Sequence, residues 1–215
     1  MGQAPGPRTP SLDDGVPYFA TITVIAESPL REGLLFVGTD DGNVRVSSNR
    51  GESWQDAHDR FPGLPPRTWV ADIAPSPHDP DVVLAAFDGH REDDFTNYLY
   101  RSDDGGDSWR SITGDLPAHR VIRAVEQDPV NADLLYLATE LGFFISIDGG
   151  AHWVELKNNM PTLPVNDFVL HPRDHDLVLG THGRGIWILD SVHSLRELTP
   201  AVIESPAHLF SVGAA

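Results

Sequence analysis

The 215-residue sequence predicts an all-β fold, a β-propeller of four-stranded antiparallel blades with four blades present as a partial or small ring. Three observations predict it. One hairpin motif, a Ser followed at steps of two by Asp or Asn and then Gly, with a closing Trp, occurs at 47–54 (SSNRGESW), 102–109 (SDDGGDSW) and 146–153 (SIDGGAHW). Further apolar runs precede every copy in the same order, which is the signature of a repeated supersecondary unit. The runs are short, are bounded by Gly, Pro and Asp, and carry no helical period.

Residues 1–17, MGQAPGPRTPSLDDGVP, read as a flexible Pro/Gly-rich lead-in, and the repeats occupy 18–199 as blades at about 18–57, 66–113, 118–157 and 164–199. The first strands are ITVIAESP (22–29), VADIAPSP (70–77), IRAVEQDP (122–129) and NDFVLHP (166–172), each ending in a turn. The second strands are LLFVGT (34–39), VVLAAF (82–87), LLYLAT (134–139) and LVLGT (177–181), with 48, 52 and 42 residues between Thr39, Phe87, Thr139 and Thr181. The third strands, NVRVS (43–47), YLYRS (98–102), FFISI (143–147) and IWIL (186–189), run into the hairpin motif, and the fourth starts at its Trp. In the last blade the motif has decayed: Asp190 falls 42 residues after Asp148 and Leu195 falls 42 after Trp153, so an apolar plug is expected where the Gly is lost. Residues 200–215 read as a C-terminal tail.

The motif is a turn by chemistry. A short Asp or Asn side chain accepts from backbone N–H groups just ahead of it, and Gly supplies a positive φ. The Trp then returns with a large apolar surface to lay on a neighbouring sheet. Ser47, Asn49, Gly51 and Trp54, Ser102, Asp104, Gly106 and Trp109, and Ser146, Asp148, Gly150 and Trp153 are accordingly structural.

Composition excludes several function classes. The formal charge is -17, which argues against nucleic acid and against an anionic membrane surface. No apolar run approaches the length of a spanning helix. The absence of Cys removes disulfides and thiolate metal sites. The N-terminus lacks the apolar core of a signal peptide. No HExxH, phosphate loop or GxSxG elbow is present, and His171 and His175 lie in a polar turn, so no cofactor and no metal site are expected, apart from a weak calcium option at Asp88, Asp93 and Asp94.

The three motifs resemble Asp-boxes, or BNR repeats, found in sialidases, sortilin-type receptor domains and xyloglucan-cleaving hydrolases. With TDDGNV (39–44), FDGHREDDF (87–95) and THGRGIWILD (181–190), the chain over about 18–210 is similar to bacterial propeller proteins labelled sortilin-like or glycosyl hydrolase. The resemblance implies a propeller, a secreted or periplasmic setting and a glycan or protein ligand. It does not extend to sialidase activity, because Tyr98, Tyr100 and Tyr136 alternate within strands and Tyr18 lies in the lead-in. Such propellers commonly have more blades than four, so the end blades are expected to expose apolar faces and to self-associate.

Connectivity divides the loops between two rims. The motifs share one with the first-to-second turns. The other carries the second-to-third turns and the blade links, and holds Asp40, Asp41, Arg67, Trp69, His90, Arg91, Asp93, Asp94, His119, Arg120, Glu140, His182 and Arg184 as candidate binding residues; its long loop at 88–95 is the kind that carries function. Asp72 and Asp167 stand near the start of innermost strands. They are the candidate acid and base of a glycoside hydrolase acting on a β-linked polysaccharide. Counted from the strand starts, however, they fall in different registers, and an ion pair of Asp167 with Arg123 is the plainer reading. The function expected is a binding module; the alternatives are that hydrolase, or structural blades without an activity of their own.

Overall fold

A computed structural model describes residues 21–211; the lead-in with Tyr18 and residues 212–215 lie outside the described residues. The fold is all-β, four antiparallel sheets in chain order. The first holds β1 (Ile22–Glu27), β2 (Leu35–Thr39), β3 (Val44–Ser47) and β4 (Gln55–Asp56). The second holds β5 (Trp69–Pro75), β6 (Val83–Asp88), β7 (Tyr98–Ser102) and β8 (Arg110–Ser111), and the third β9 (Ile122–Gln127), β10 (Leu135–Thr139), β11 (Gly142–Ser146) and β12 (Val154–Glu155). The fourth has three strands, β13 (Val165–Leu170), β14 (Leu177–Thr181) and β15 (Ile186–Leu189).

The expected fourth strand of the last sheet is a short helix, α1 (His193–Glu197), followed by α2 (Pro200–Glu204). The chain turns at Ser191, which takes φ 55° as Arg50, Gly105 and Gly149 take positive φ at that place, and buried Val192 stands where the corner Gly is lost. Leu, Arg and Glu then favour a helical turn over an extended edge. Leu195 still packs into the core between the third and fourth sheets, so the plug survives while its backbone changes.

Each pair of successive sheets encloses its own core. Phe36, Val44 and Val46 of the first sheet meet Ile73, Phe87, Tyr100 and Trp109 of the second. Leu84, Ala86 and Leu99 meet Val125, Leu137, Phe144 and Trp153. Ala124, Tyr136 and Phe143 meet Val165, Phe168 and Leu179. This explains why β6, β10 and β11 are buried throughout: covered on both faces, they read as continuous apolar runs without alternation.

The three corners are built alike. The Gly N–H donates to the Ser Oγ at 2.9, 2.8 and 2.9 Å, and the Ser hydroxyl donates to Asn49, Asp104 or Asp148 at 2.9, 2.7 and 2.8 Å. That Asn or Asp oxygen then accepts the N–H of Ser53, Ser108 or His152. Gly51, Gly106 and Gly150 take φ of 84°, 97° and 96°, where an L side chain is strained. Burial pulls the carboxyls of Asp104 and Asp148 upward, but these bonds, together with those from the Ser108 and His152 side chains, bring both below the usual range.

In the second and third sheets the corner Trp points to the preceding sheet. Trp109 stacks on Phe61 of the link from the first sheet, and the Trp153 Nε1–H donates to the Ile112 carbonyl of the second. Every innermost strand also carries a bulge near its start: at Thr23, Ala71, Arg123 and Asn166. Beyond it, Val24 pairs with Gly38, Asp72 with Ala86, Ala124 with Ala138, and Asp167 with Gly180. Among the described residues the strong packing between sheets runs first to second, second to third and third to fourth, and none of it joins the fourth to the first.

A candidate site in the acidic cleft along the inner strands

The bulges correct the register. Asp72 and Asp167 occupy the same position, directly after the bulge, two sheets apart, with Ala124 between them. NDFVLHP is one residue shorter than its counterparts, and the shortfall lies at its start. Counting back five residues from Pro77, Pro129 and Pro172 brings Asp72, Ala124 and Asp167 into line.

The expected Arg123–Asp167 ion pair is absent. Arg123 is the bulge residue of β9 and reaches Asp88 of the second sheet at 2.6 Å and Glu140 of its own turn at 2.6 Å. Asp167 is exposed and accepts from the N–H of Phe168 at 2.8 Å. Asp72 is bonded in the same way to the Ile73 N–H, and its Oδ2 additionally takes the Val125 N–H of the third sheet at 2.9 Å.

An open cleft of about 600 Å³ follows the inner strands of the second to fourth sheets. Asp72 and Glu126 lie in its wall, with Pro75, Pro129, His171 and Arg196 around them. Burial, with the negative charge of Asp167 added, raises the Asp72 carboxyl to about 6 against the bonds that favour its charged form. Burial and then the charges of Asp72 and Asp167 raise Glu126 to about 7. Glu126 was not singled out in the sequence, and neither were His171, His175 and Arg196 as cleft residues. The available signal for Glu126 is its polar side chain at an inward position of an innermost strand, two residues beyond the Asp72 register. The cleft opens among the turns that follow the inner strands, on the rim that also holds the corners, not on the rim expected to bind.

On the opposite rim many candidates are bonded to one another. Asp40 and Asp41 are buried: Asp40 accepts from the Thr21 N–H, and Asp41 from Thr39 and Asn43, so both serve their turn. Asp88 binds His90 at 2.6 Å as well as Arg123, and Arg91 lies 4.1 Å over the Trp69 ring. Asp94 accepts from the Tyr98 hydroxyl, while Asp93 closes a 3-10 turn at φ 60°. The calcium expectation therefore fails on chemistry, because Asp88 and Asp94 are spent on Arg123, His90 and Tyr98; among the described residues no group of three or more His, Asp or Glu is placed to hold a metal ion. Arg67, Trp69 and Arg91 gather beside Asp40 and Asp88. Glu140 and His182 share a groove with Arg123 and Asn166. His119, with φ 60°, and Arg120, whose N–H donates to Asn97, belong to the link between the second and third sheets; Arg184 is exposed in the β14–β15 turn. Among the described residues no helix is long and apolar enough to cross a membrane.

No family model matches the sequence, and no curated protein matches it. The architecture is that of propeller-type proteins of known structure. It is similar to an ancestral GH74 enzyme, at 22% identity and TM-score 0.59, covering 76% of this chain and 23% of that one. The GH74 xyloglucanase from Xanthomonas campestris aligns at 17% identity and TM-score 0.60, over 79% of this chain and 29% of that one. YCF48 bound to D1 peptide aligns at 14% identity and TM-score 0.58, over 81% of this chain and 53% of that one. The chain thus spans about a quarter of these GH74 enzymes and about half of YCF48.

Proposed function

We propose that the chain is an Asp-box propeller module that binds a glycan in the cleft along its inner strands. The observation that carries this reading is the pair Asp72 and Glu126: two carboxyls in one open cleft, raised to about 6 and about 7. Near neutral pH such groups both donate and accept hydrogen bonds, which suits sugar hydroxyls, and the proline faces of Pro75 and Pro129 supply flat apolar contact. The rim opposite the corners is the weaker candidate, because its charges are largely used by one another. Similar folds in a GH74 xyloglucanase and in YCF48 bound to D1 peptide support a binding role for the scaffold.

Titration with xyloglucan and β-glucan oligosaccharides by calorimetry tests the reading. Binding that Glu126→Gln weakens supports it; binding untouched by both Glu126→Gln and Asp72→Asn sinks it. Hydrolysis is the second reading, favoured by Glu126 keeping a proton near pH 7, as a general acid requires. Release of reducing ends, abolished by Glu126→Gln or Asp72→Asn, supports hydrolysis. Turnover surviving both substitutions removes these acids from the chemistry.

A further inference from the structure

The corner Trp reveals a direction in the stacking. Trp109 and Trp153 are buried against the preceding sheet, whereas Trp54, in the same position of the first sheet, is 38% exposed. Around it the outer face of the first sheet repeats a buried pattern. Ile25 holds the register of Ile73, Val125 and Phe168, all buried, yet is 66% exposed.

The far end shows the complement. Ile186 holds the register of Val44, Leu99 and Phe143, and Ile188 that of Val46 and Ile145, with Arg101 there in the second sheet; the five apolar residues are buried beneath the following sheet. Ile186 is 72% and Ile188 59% exposed, with Val169 beside them. A carboxylate marks the same face. Asp72 reaches from the second sheet to the Val125 N–H of the third, and Asp167, in the Asp72 register and bonded to its own following N–H alike, is exposed.

We propose that the outer face of the fourth sheet docks the outer face of the first sheet of a second copy of this chain, with Asp167 accepting the N–H of Ile25 across the contact. A second copy is the occupant because each chain carries both halves of the joint: a Trp54 corner at one end and an Ile186–Ile188 socket at the other. They match at the registers that already join the sheets within the chain. Two such contacts related by a two-fold axis close into a ring of eight sheets, within the usual range of about 4–8 blades for propellers, so the head-to-tail joint ends in a dimer, not a fibre. The polar position on the first face does not oppose this, since Arg45 pairs with Asp56 in its own sheet. The inference is independent of any ligand in the cleft.

The chain has no Cys, so introduced thiols report contacts cleanly. Light scattering on the full chain is expected to give twice the monomer mass. Glu52→Cys, on the first corner, and Ile188→Cys are expected to join through a short thiol cross-linker when mixed, and neither with itself. Asp167→Ala should raise the dimer dissociation constant about tenfold, the effect of losing one buried hydrogen bond to a charged group. Ile186→Asp with Ile188→Asp should give a monomer with unchanged circular dichroism, which separates loss of docking from loss of fold. A concentrated wild-type monomer, or cross-linking of either variant to itself as readily as in the mixture, overturns the proposal.

Discussion

Replacing Arg196 tests how the helix that ends the fourth sheet is fastened. The Arg196 side chain is 8% exposed and that of Asp128 is not exposed at all; Nε meets the two carboxylate oxygens at 3.0 and 2.9 Å. Asp128 also accepts from the Tyr136 hydroxyl and from the N–H groups of Val130 and Asn131. Arg196→Met removes the countercharge and leaves a buried carboxylate with neutral donors only. Breaking a buried pair from one side costs about 3–5 kcal/mol. The three remaining donors place this case at the lower end, about 3 kcal/mol, or a fall in Tm of roughly 6–12 °C for a chain of this size. Urea unfolding followed by Trp fluorescence measures it. The companion Asp128→Asn in the Arg196→Met background should recover much of the loss, because the charge left behind is then removed. A loss below about 1 kcal/mol, or additive losses in the double variant, would refute the view that this ion pair anchors α1.

Trp109→Ala should cost about 3–5 kcal/mol, as for a large core aromatic, and Trp54→Ala far less in the dilute monomer; equal losses would contradict the direction of stacking. Asp72 and Glu126 are raised on folding, so the folded chain holds more protons than the unfolded one between about pH 4 and 7. Stability is then expected to increase as pH falls from 8 to 5, and Glu126→Gln should flatten that slope and stabilise the chain at pH 8 by about 1–2 kcal/mol, below the full shift because the side chain is partly exposed. Asp104 and Asp148 act oppositely: lowered on folding, they contribute stability above the usual carboxyl range that is lost as pH drops through their folded values, so Asp104→Asn should lessen acid sensitivity below about pH 4. Denaturant midpoints measured across pH check both slopes.

Strand order, and strand number in the first three sheets, were legible because turn chemistry and burial repeat together in the sequence. Ser102, Asp104, Gly106 and Trp109 each do a separate physical task, and their spacing survives in three sheets. The last sheet misled because position in the repeat was preserved after conformation was lost: Leu195 keeps the place of a Trp, but without a Gly the chain entered it as a helix. The inner acids were misaligned for a related cause. The fourth run was started at Asn166, one residue past Val165, which holds the place of Val70 and Ile122, so Asp167 was counted from the wrong end. Arg123 was paired wrongly because a bulge residue aims away from its neighbours' alternation. Glu126 was invisible to motif reasoning, since its character comes from Asp72 and Asp167 on other sheets and from burial that only packing creates.

That Trp109 and Trp153 lean on the sheet made before them has a consequence for synthesis. As the chain leaves the ribosome, every new hairpin finds its landing surface already finished, and growth proceeds like masonry, course upon course. A chain interrupted late keeps all its completed joints and lacks only a cover. One begun late keeps its joints as well, but starts with a bare indole that has nothing beneath it.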